Sequence, residues 1–244
     1  MKTDAIILGS GRSIRMQGTD KLLANLAGIP VITWSLRAFE DNAGIRSVVV
    51  TTSAENDQEI RNVLQSSSFS KIHSIVAGGH CRARSVLHAL KALEDRPPDF
   101  VAVHDGARPL LTQTMISNGL YQLEGHPAAI PAVPATDTVK IVDQHQRIVK
   151  SLPRSTVWHA QTPQFARYKD ILNAHLVRSD NLDTFTDDAS LLEASGIPIQ
   201  IYQGDPENLK ITTVQDLSAA STIAERRHMD SPTTTSSRKA KNPQ

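Results

Sequence analysis

Asp4-Ala-Ile-Ile-Leu8 runs directly into Leu8-Gly-Ser-Gly-Arg-Ser-Ile-Arg-Met16, with Lys21 just beyond, and the reading of this stretch decides the fold. The apolar run is a short buried strand. A strand followed by a glycine-rich turn and then cations is how an α/β sheet offers backbone N–H groups to a phosphate chain. Gly9 and Gly11 let the backbone approach an anion closely, Ser10 lies between them, and Arg15 and Lys21 supply the charge that amides lack. A dinucleotide fingerprint would need glycine where Ile14 stands, and no Gly-Lys-Ser/Thr ending marks a Walker loop. An ordinary strand-to-helix turn with arginines in water is the alternative, so the rest of the chain must decide.

Outward from that stretch, strand-like and helix-like segments alternate, which argues for a mostly parallel sheet covered by helices. Strands are expected at Ala5–Leu8, Ser47–Thr52, Ile72–Val76, Phe100–His104 and Ala128–Val133. Helical stripes follow: Ile32, Leu36 and Phe39 after Pro30; Ile60, Val63 and Leu64; Val86, Leu87, Leu90 and Leu93; Ile116, Leu120 and Leu123. These stripes are core contacts. Residues 136–158 break the pattern. Val139 and Ile141, then Ile148 and Leu152, flank a polar centre at Asp143–Arg147, which predicts a hairpin arm projecting from the sheet. An isolated hairpin is marginal in water, so the arm is expected to pack on something, such as another subunit. Thr213-Val-Gln-Asp216 predicts a capped helix with Leu217, Ala220 and Ala224 on one side. The expected organisation is one domain over 1–226 and a disordered tail over 227–244, where Ser, Thr, Pro, Lys and Asn dominate.

Composition narrows the function. A net charge of +1 over 244 residues builds no field for a nucleic acid. Cys81 is the only cysteine, so neither a disulfide framework nor a multi-cysteine zinc site is available within one chain. No stretch has the length of a membrane span, and Met1-Lys-Thr-Asp4 enters the first strand without an apolar signal region. A cytoplasmic location is the expectation.

Further segments carry candidate chemistry. Val103-His-Asp-Gly-Ala-Arg-Pro109 follows a strand, where ligands bind in open α/β sheets. Asp105 there either holds a divalent cation such as Mg²⁺ or is a turn residue paired with Arg108. Ala77-Gly-Gly-His-Cys-Arg-Ala-Arg-Ser85 also lies between a strand and a helix; Gly78, Gly79 and Ser85 can read a flat heterocycle, with Arg82 and Arg84 near the turn. The same segment reads equally as a Gly-Gly turn with exposed arginines. Lys210, in Asn208-Leu-Lys210-Ile-Thr-Thr213, is expected at a strand end and matters only if the fold brings it to Arg15 and Lys21. Trp158-His-Ala-Gln-Thr-Pro-Gln164 and Thr186-Asp-Asp-Ala-Ser190 are polar sets without the order of a Ser–His–Asp hydrolase.

Taken together, these segments resemble the CTP-dependent methylerythritol phosphate cytidylyltransferases of isoprenoid synthesis, from about Ala5 to Leu217. The most specific parts are His104-Asp-Gly-Ala-Arg-Pro109, Asp137-Thr138, Arg154-Ser with Trp158, Gln161-Thr-Pro-Gln164, Thr186-Asp-Asp-Ala-Ser190 and Asn208-Leu-Lys210-Ile-Thr. The resemblance implies a Rossmann-like nucleotidyltransferase fold, an α/β/α three-layer sandwich with a β-arm, and a homodimer whose arms embrace. It implies that Arg15, Lys21 and Lys210 are catalytic on the triphosphate. It places Gly9, Ser10, Gly11, Gly78, Gly79, Arg82 and Ser85 on CTP, and Asp105, Arg108, Thr138, Arg154 and Thr162 on the sugar phosphate, with Asp105 also near Mg²⁺. Thr138 and Arg154 would serve the partner's site. The chain departs from the family pattern at Gly9-Ser-Gly11, at Ser13 and at His80. Rival readings are a pentitol (ribitol) phosphate cytidylyltransferase, a non-catalytic nucleotide-binding regulator, and an NAD-dependent oxidoreductase, the last disfavoured by Ile14.

Overall fold

The computed structural model describes residues 1–11 and 20–230, the last three of them by backbone alone. In chain order the elements are β1 (Thr3–Gly9), β2 (Asn25–Leu26), β3 (Ile29–Pro30), α1 (Val31–Glu40), β4 (Ile45–Thr52), α2 (Asp57–Ser66), β5 (Ile72–Ala77), α3 (Arg82–Lys91), β6 (Phe100–Asp105) and α4 (Gln113–Gln122). Then come β7 (Ala128–Pro134), β8 (Lys140–Val142), β9 (Ile148–Ser151), β10 (Trp158–Ala160), β11 (Gln164–Arg167), α5 (Tyr168–Val177), α6 (Asp188–Ala194), β12 (Gln200–Gln203) and α7 (Val214–Asp230). Short 3₁₀ turns lie at Arg154–Thr156 and Ser179–Thr184.

The central sheet is parallel where β6, β1, β4 and β5 lie side by side, and antiparallel where β11 joins β6 to β7. β10 and β11 share one flank of β7, pairing with Pro134–Ala132 and Ala129–Ala128 respectively, while β12 runs parallel on the other flank. The sheet thus has mixed edges on a parallel core.

Strand alternation sends consecutive residues to opposite layers. Ala5, Ile7, Val48 and Val50 face α1, α2 and α4 through Leu36, Phe39, Ile60 and Ile116. Ile6, Val49, Val101 and Val103 face α3, α5 and α6 through Val86, Leu90, Ile171 and Leu191. This is the expected three-layer α/β/α arrangement. A smaller cluster of Leu26, Val31, Leu110, Ile211, Ala220 and Ala224 seats α7 against the β2–β3 ribbon.

The arm forms as expected: β8 and β9 pair antiparallel around the Asp143–Arg147 turn. Other boundaries move. Pro30 ends β3 and precedes α1 rather than lying in its first turn. Helix α7 continues past the expected boundary to Asp230, and Arg227 bonds Leu110 O, Asp205 and Glu207. The tail expected to be disordered lies, from 231 on, outside the described residues.

Candidate active site

Strand order 5-4-1-6 reverses direction at β1, so the loops leaving β1 and β6 diverge and open a crevice at the carboxyl ends of the strands. The crevice is a cleft of about 470 Å³. Ser10 and Gly11 line it from β1, Ser53, Ala54 and Glu55 from the end of β4, Gly78 to Arg82 from the end of β5, Asp105 and Ala107 from β6, and Lys21 and Lys210 from two further loops.

Hydroxyl and amide groups fix the cleft wall. Gly9 N–H donates to Thr51 Oγ1 at 3.2 Å, and the Ser10 hydroxyl donates to Ser85 Oγ at 2.9 Å. Ser85 Oγ also accepts from Gly79 N–H at 3.0 Å and donates to Cys81 O at 3.1 Å. Gly78 passes so close to Ser10 that a Cβ on it would sit 2.2 Å from Ser10 Cβ, which makes glycine obligatory there. Buried Asn56 ties Gly9 to Asp20: its Nδ2 donates to Gly9 O at 2.9 Å and to Asp20 Oδ2 at 2.7 Å, and its Oδ1 accepts from Ser53 N–H at 2.9 Å.

The floor is ionic. Asp105 accepts from Lys210 Nζ at 2.7 Å and Arg82 Nε at 3.2 Å, with Arg108 Nε at 3.8 Å. Burial alone would raise its carboxyl, but Arg82 and Lys210 outweigh burial and hold Asp105 well below the usual carboxylate range. Beneath it, His104 is fully buried, and burial pushes it down to about 4, so it is neutral at pH 7. Its Nε2 faces Arg108 O at 3.1 Å, a carbonyl that can only accept, so Nε2 carries the proton and Thr162 donates to Nδ1 at 2.9 Å. Asp105 N–H in turn donates to Thr162 Oγ1 at 3.2 Å.

Backbone ties carry Lys210 to this floor. Arg108 Nη1 donates to Asn208 O at 2.7 Å, Asn208 Nδ2 to Thr162 O at 3.0 Å, and Ile211 N–H to Ala107 O at 2.8 Å. Lys210 lies in an irregular loop ahead of α7, not at the strand end expected from sequence. Thr213 and Asp216 cap α7 reciprocally, as expected.

Residues 3–226 match the family described as IspD, 2-C-methyl-D-erythritol 4-phosphate cytidylyltransferase. This chain belongs to that family. A cytidylyltransferase of that name from Pelotomaculum thermopropionicum is 38% identical over 231 residues, covering 93% of this chain and 95% of the relative. One from Shouchella clausii is 36% identical over 93% of this chain and 98% of its own length. Among solved structures, the 4-diphosphocytidyl-2C-methyl-D-erythritol synthase of Anaerococcus prevotii superposes with a TM-score of 0.81 at 26% identity, covering 92% of this chain and 99% of that one. The 2-C-methyl-D-erythritol 4-phosphate cytidylyltransferase of Francisella tularensis gives 0.77 at 31% identity, covering 90% and 98%. The chain is therefore an enzyme, a nucleotidyltransferase with the cytidylyltransferase fold.

For a cytidylyltransferase, the cleft gathers a coherent part of the residues expected from sequence. Lys21, Lys210, Ser10, Gly11, Gly78, Gly79, Arg82, Ser85 and Asp105 all line it. Arg15 and Ser13 lie outside the described residues. Gly9 sits just behind the wall. Thr162, expected on the sugar phosphate, is buried beneath the cleft floor, its hydroxyl donating to His104 Nδ1 and accepting from Asp105 N–H. Arg108 crosses to Asn208 beneath Lys210. Arg82 lines the cleft, yet commits Nε to Asp105 and Nη1 to Asp188. Ser85 lines the cleft with its hydroxyl fully engaged, donating to Cys81 O and accepting from the Ser10 hydroxyl and Gly79 N–H. Thr138 and Arg154 are exposed on the arm, with Arg154 Nη1 on Thr136 O at 2.9 Å, and neither lines this chain's cleft.

Three cations surround the oxygens of Asp105, Arg82 and Lys210 within hydrogen-bonding reach and Arg108 at 3.8 Å. Of the two readings of Asp105, the ion-paired one describes the structure.

Sequence reasoning missed Asn56 and Asp188. Asn56 follows the end of β4, where a loop residue reads only as a turn former, and its bonds span residues distant in sequence. Asp188 was legible only as part of a polar Thr-Asp-Asp segment.

Proposed function

We propose that this cleft is where the chain transfers CMP from CTP to 2-C-methyl-D-erythritol 4-phosphate, giving 4-diphosphocytidyl-2-C-methyl-D-erythritol and pyrophosphate in non-mevalonate isoprenoid biosynthesis. The activity is that of the family. What supports this seat for it is one observation: Lys21 and Lys210, far apart in sequence, line one cleft with the glycine loops of β1 and β5.

In the step, a phosphate oxygen of the sugar phosphate attacks the α-phosphorus of CTP in line. A P–O bond forms, the bond to the β-phosphate bridging oxygen breaks, and pyrophosphate leaves with the electron pair. The protein's task is positioning and charge. Two like charges at 4 Å repel by roughly 4 kcal/mol at an effective dielectric near 20, and multiply charged phosphates repel more. Lys21 and Lys210 offset that repulsion, with Arg15 as the third expected cation. The Gly9-Ser-Gly11 backbone faces the phosphates, and Gly78 and Gly79 present peptide edges to cytosine. CTP enters as its Mg²⁺ complex, the ion belonging to the substrate.

The sugar-phosphate site is completed by a second copy of this chain. Ile141, Val142, Ile148 and Val149 are 45–67% exposed on the arm, an apolar surface that water does not favour. Packing it against a second chain would bring Arg154 and Thr138 to that chain's cleft.

Product formation followed by phosphorus NMR tests the reading. A new diphosphate diester and free pyrophosphate are expected in equal amounts, and CTP hydrolysis to CMP without the diester would overturn it.

A further inference from the structure

At the cleft wall, Arg82 is the middle of an ion chain that runs inward to buried Asp188 and His175. Its Nε meets Asp105 Oδ1 at 3.2 Å and its Nη1 meets Asp188 Oδ2 at 2.8 Å. Asp188 Oδ1 faces His175 Nε2 on α5 at 3.7 Å, and neither side chain is more than 1% exposed.

Asp188 opens α6, where an acidic residue suits the helix dipole. Capping does not account for it. The cap is Asp187, which accepts from Ser190 N–H and receives Ser190 on its own backbone, while Ala189 N–H donates to Gln164. Asp188 is instead turned inward. Burial pushes its carboxyl up, but Arg82 and His175 outweigh burial and leave it below the ordinary range.

Of the three cations around Asp105, Arg82 lies on Oδ1, while Lys210 and the more distant Arg108 lie on Oδ2. Arg82 has a second carboxylate in Asp188, and its side chain is 22% exposed. Lys210 is 38% exposed, and its ion pair among the described residues is with Asp105. Lys210 is thus the less anchored of the two. We propose that Asp188 is a positioning residue: by tying Arg82 to α6 it holds the guanidinium on Asp105, so that Lys210 is the cation released to phosphate. This rests on the reading of Lys210 as a phosphate-binding catalytic residue. A planar guanidinium can bridge two carboxylates, whereas a lysine ammonium at position 82 cannot hold both in the same geometry.

The test uses Asp188→Asn in the full chain, with pyrophosphate-release kinetics and thermal unfolding measured together. The expected result is kcat lowered by about tenfold or more with the KM for CTP changed by less than about twofold, the pattern of an interaction realised after substrate binding. In an Arg82→Gln background the same substitution should cost less than about twofold more, because it acts through Arg82. A kcat per folded molecule within about twofold of the parent, or an equal loss with and without Arg82, would overturn the proposal. Arg82→Lys keeps the charge but not the bridge and should reproduce the kcat loss; parental kcat there would also overturn it, even if Asp188→Asn failed to fold. Lys210→Ala separates the layers. Full activity in Lys210→Ala removes the underlying reading, while an inactive Lys210→Ala beside a normal Asp188→Asn removes this proposal alone.

Discussion

Lys210 Nζ lies 2.7 Å from Asp105 Oδ2, joining the loop before α7 to the carboxyl end of β6 across the cleft floor. The pair holds a lysine ammonium on the cleft floor beside a buried carboxylate. Arg108, Asn208 and Thr162 brace both sides of the contact from below.

The two lysines of the cleft should dominate turnover. Losing one pre-organised donor typically costs about 10²–10³ in rate. Lys21→Ala and Lys210→Ala are each expected to lower kcat by about that factor with the fold intact. Steady-state pyrophosphate release and a thermal melt check this, and near-parental turnover in either variant would take that residue out of the role.

Gly78 is a steric requirement of the wall. A methyl group there meets Ser10 Cβ at 2.2 Å, with Ser85 Oγ at 2.9 Å. Gly78→Ala is expected to cost about 1–3 kcal/mol of stability by overpacking and to weaken CTP binding, because Ser10 must move. Denaturant melts and CTP titration read both effects; an unchanged Kd would mean that the loop absorbs the methyl.

His104 predicts an acid sensitivity. Its folded-state value of about 4 lies below the ordinary 6.5, so between these values the unfolded chain binds more protons. Stability from this group is complete above pH 6.5 and is lost as pH falls towards 4, up to roughly 3 kcal/mol. His104→Gln should flatten that limb of a stability-against-pH curve. An identical limb in the variant would assign the sensitivity to other groups.

Arg154 on the arm makes a split prediction. Arg154→Ala should raise the KM for the sugar phosphate about tenfold or more, a loss of 1.4 kcal/mol of binding per decade, while the KM for CTP stays near parental. Mixing Lys21→Ala with Arg154→Ala chains should then restore activity if the arm serves a partner's site. Fully mixed dimers that stay inactive would argue for a site built from one chain.

Much of this was legible in the sequence because the deciding signals are local. Ala5, Ile6 and Ile7 alternate between layers as a buried strand must, and Val139 to Leu152 encode their own hairpin. The β2–β3 ribbon was not visible. Its turn puts Ala27 at φ 48° and Gly28 at φ 92°, and alanine in the first of these positions gives no signal where Asn or Asp would. The site was legible as a set of loops but not as a set of contacts. The resemblance names Thr162 and Arg108 as ligands, but no local pattern reports the bonds they make within the chain, to His104 and Asp105 and to Asn208 O. Asp188 and Asn56 act across distances in sequence that no local pattern reports.

The most direct test of the account is pyrophosphate release by the full chain with CTP, UTP, ATP and GTP, each offered with 2-C-methyl-D-erythritol 4-phosphate and with ribitol phosphate. The account predicts that CTP with methylerythritol phosphate exceeds every other pairing in kcat/KM by about tenfold or more, at least the 1.4 kcal/mol that one matched contact supplies. Equal turnover with ribitol phosphate, or none with CTP and methylerythritol phosphate together, would contradict it.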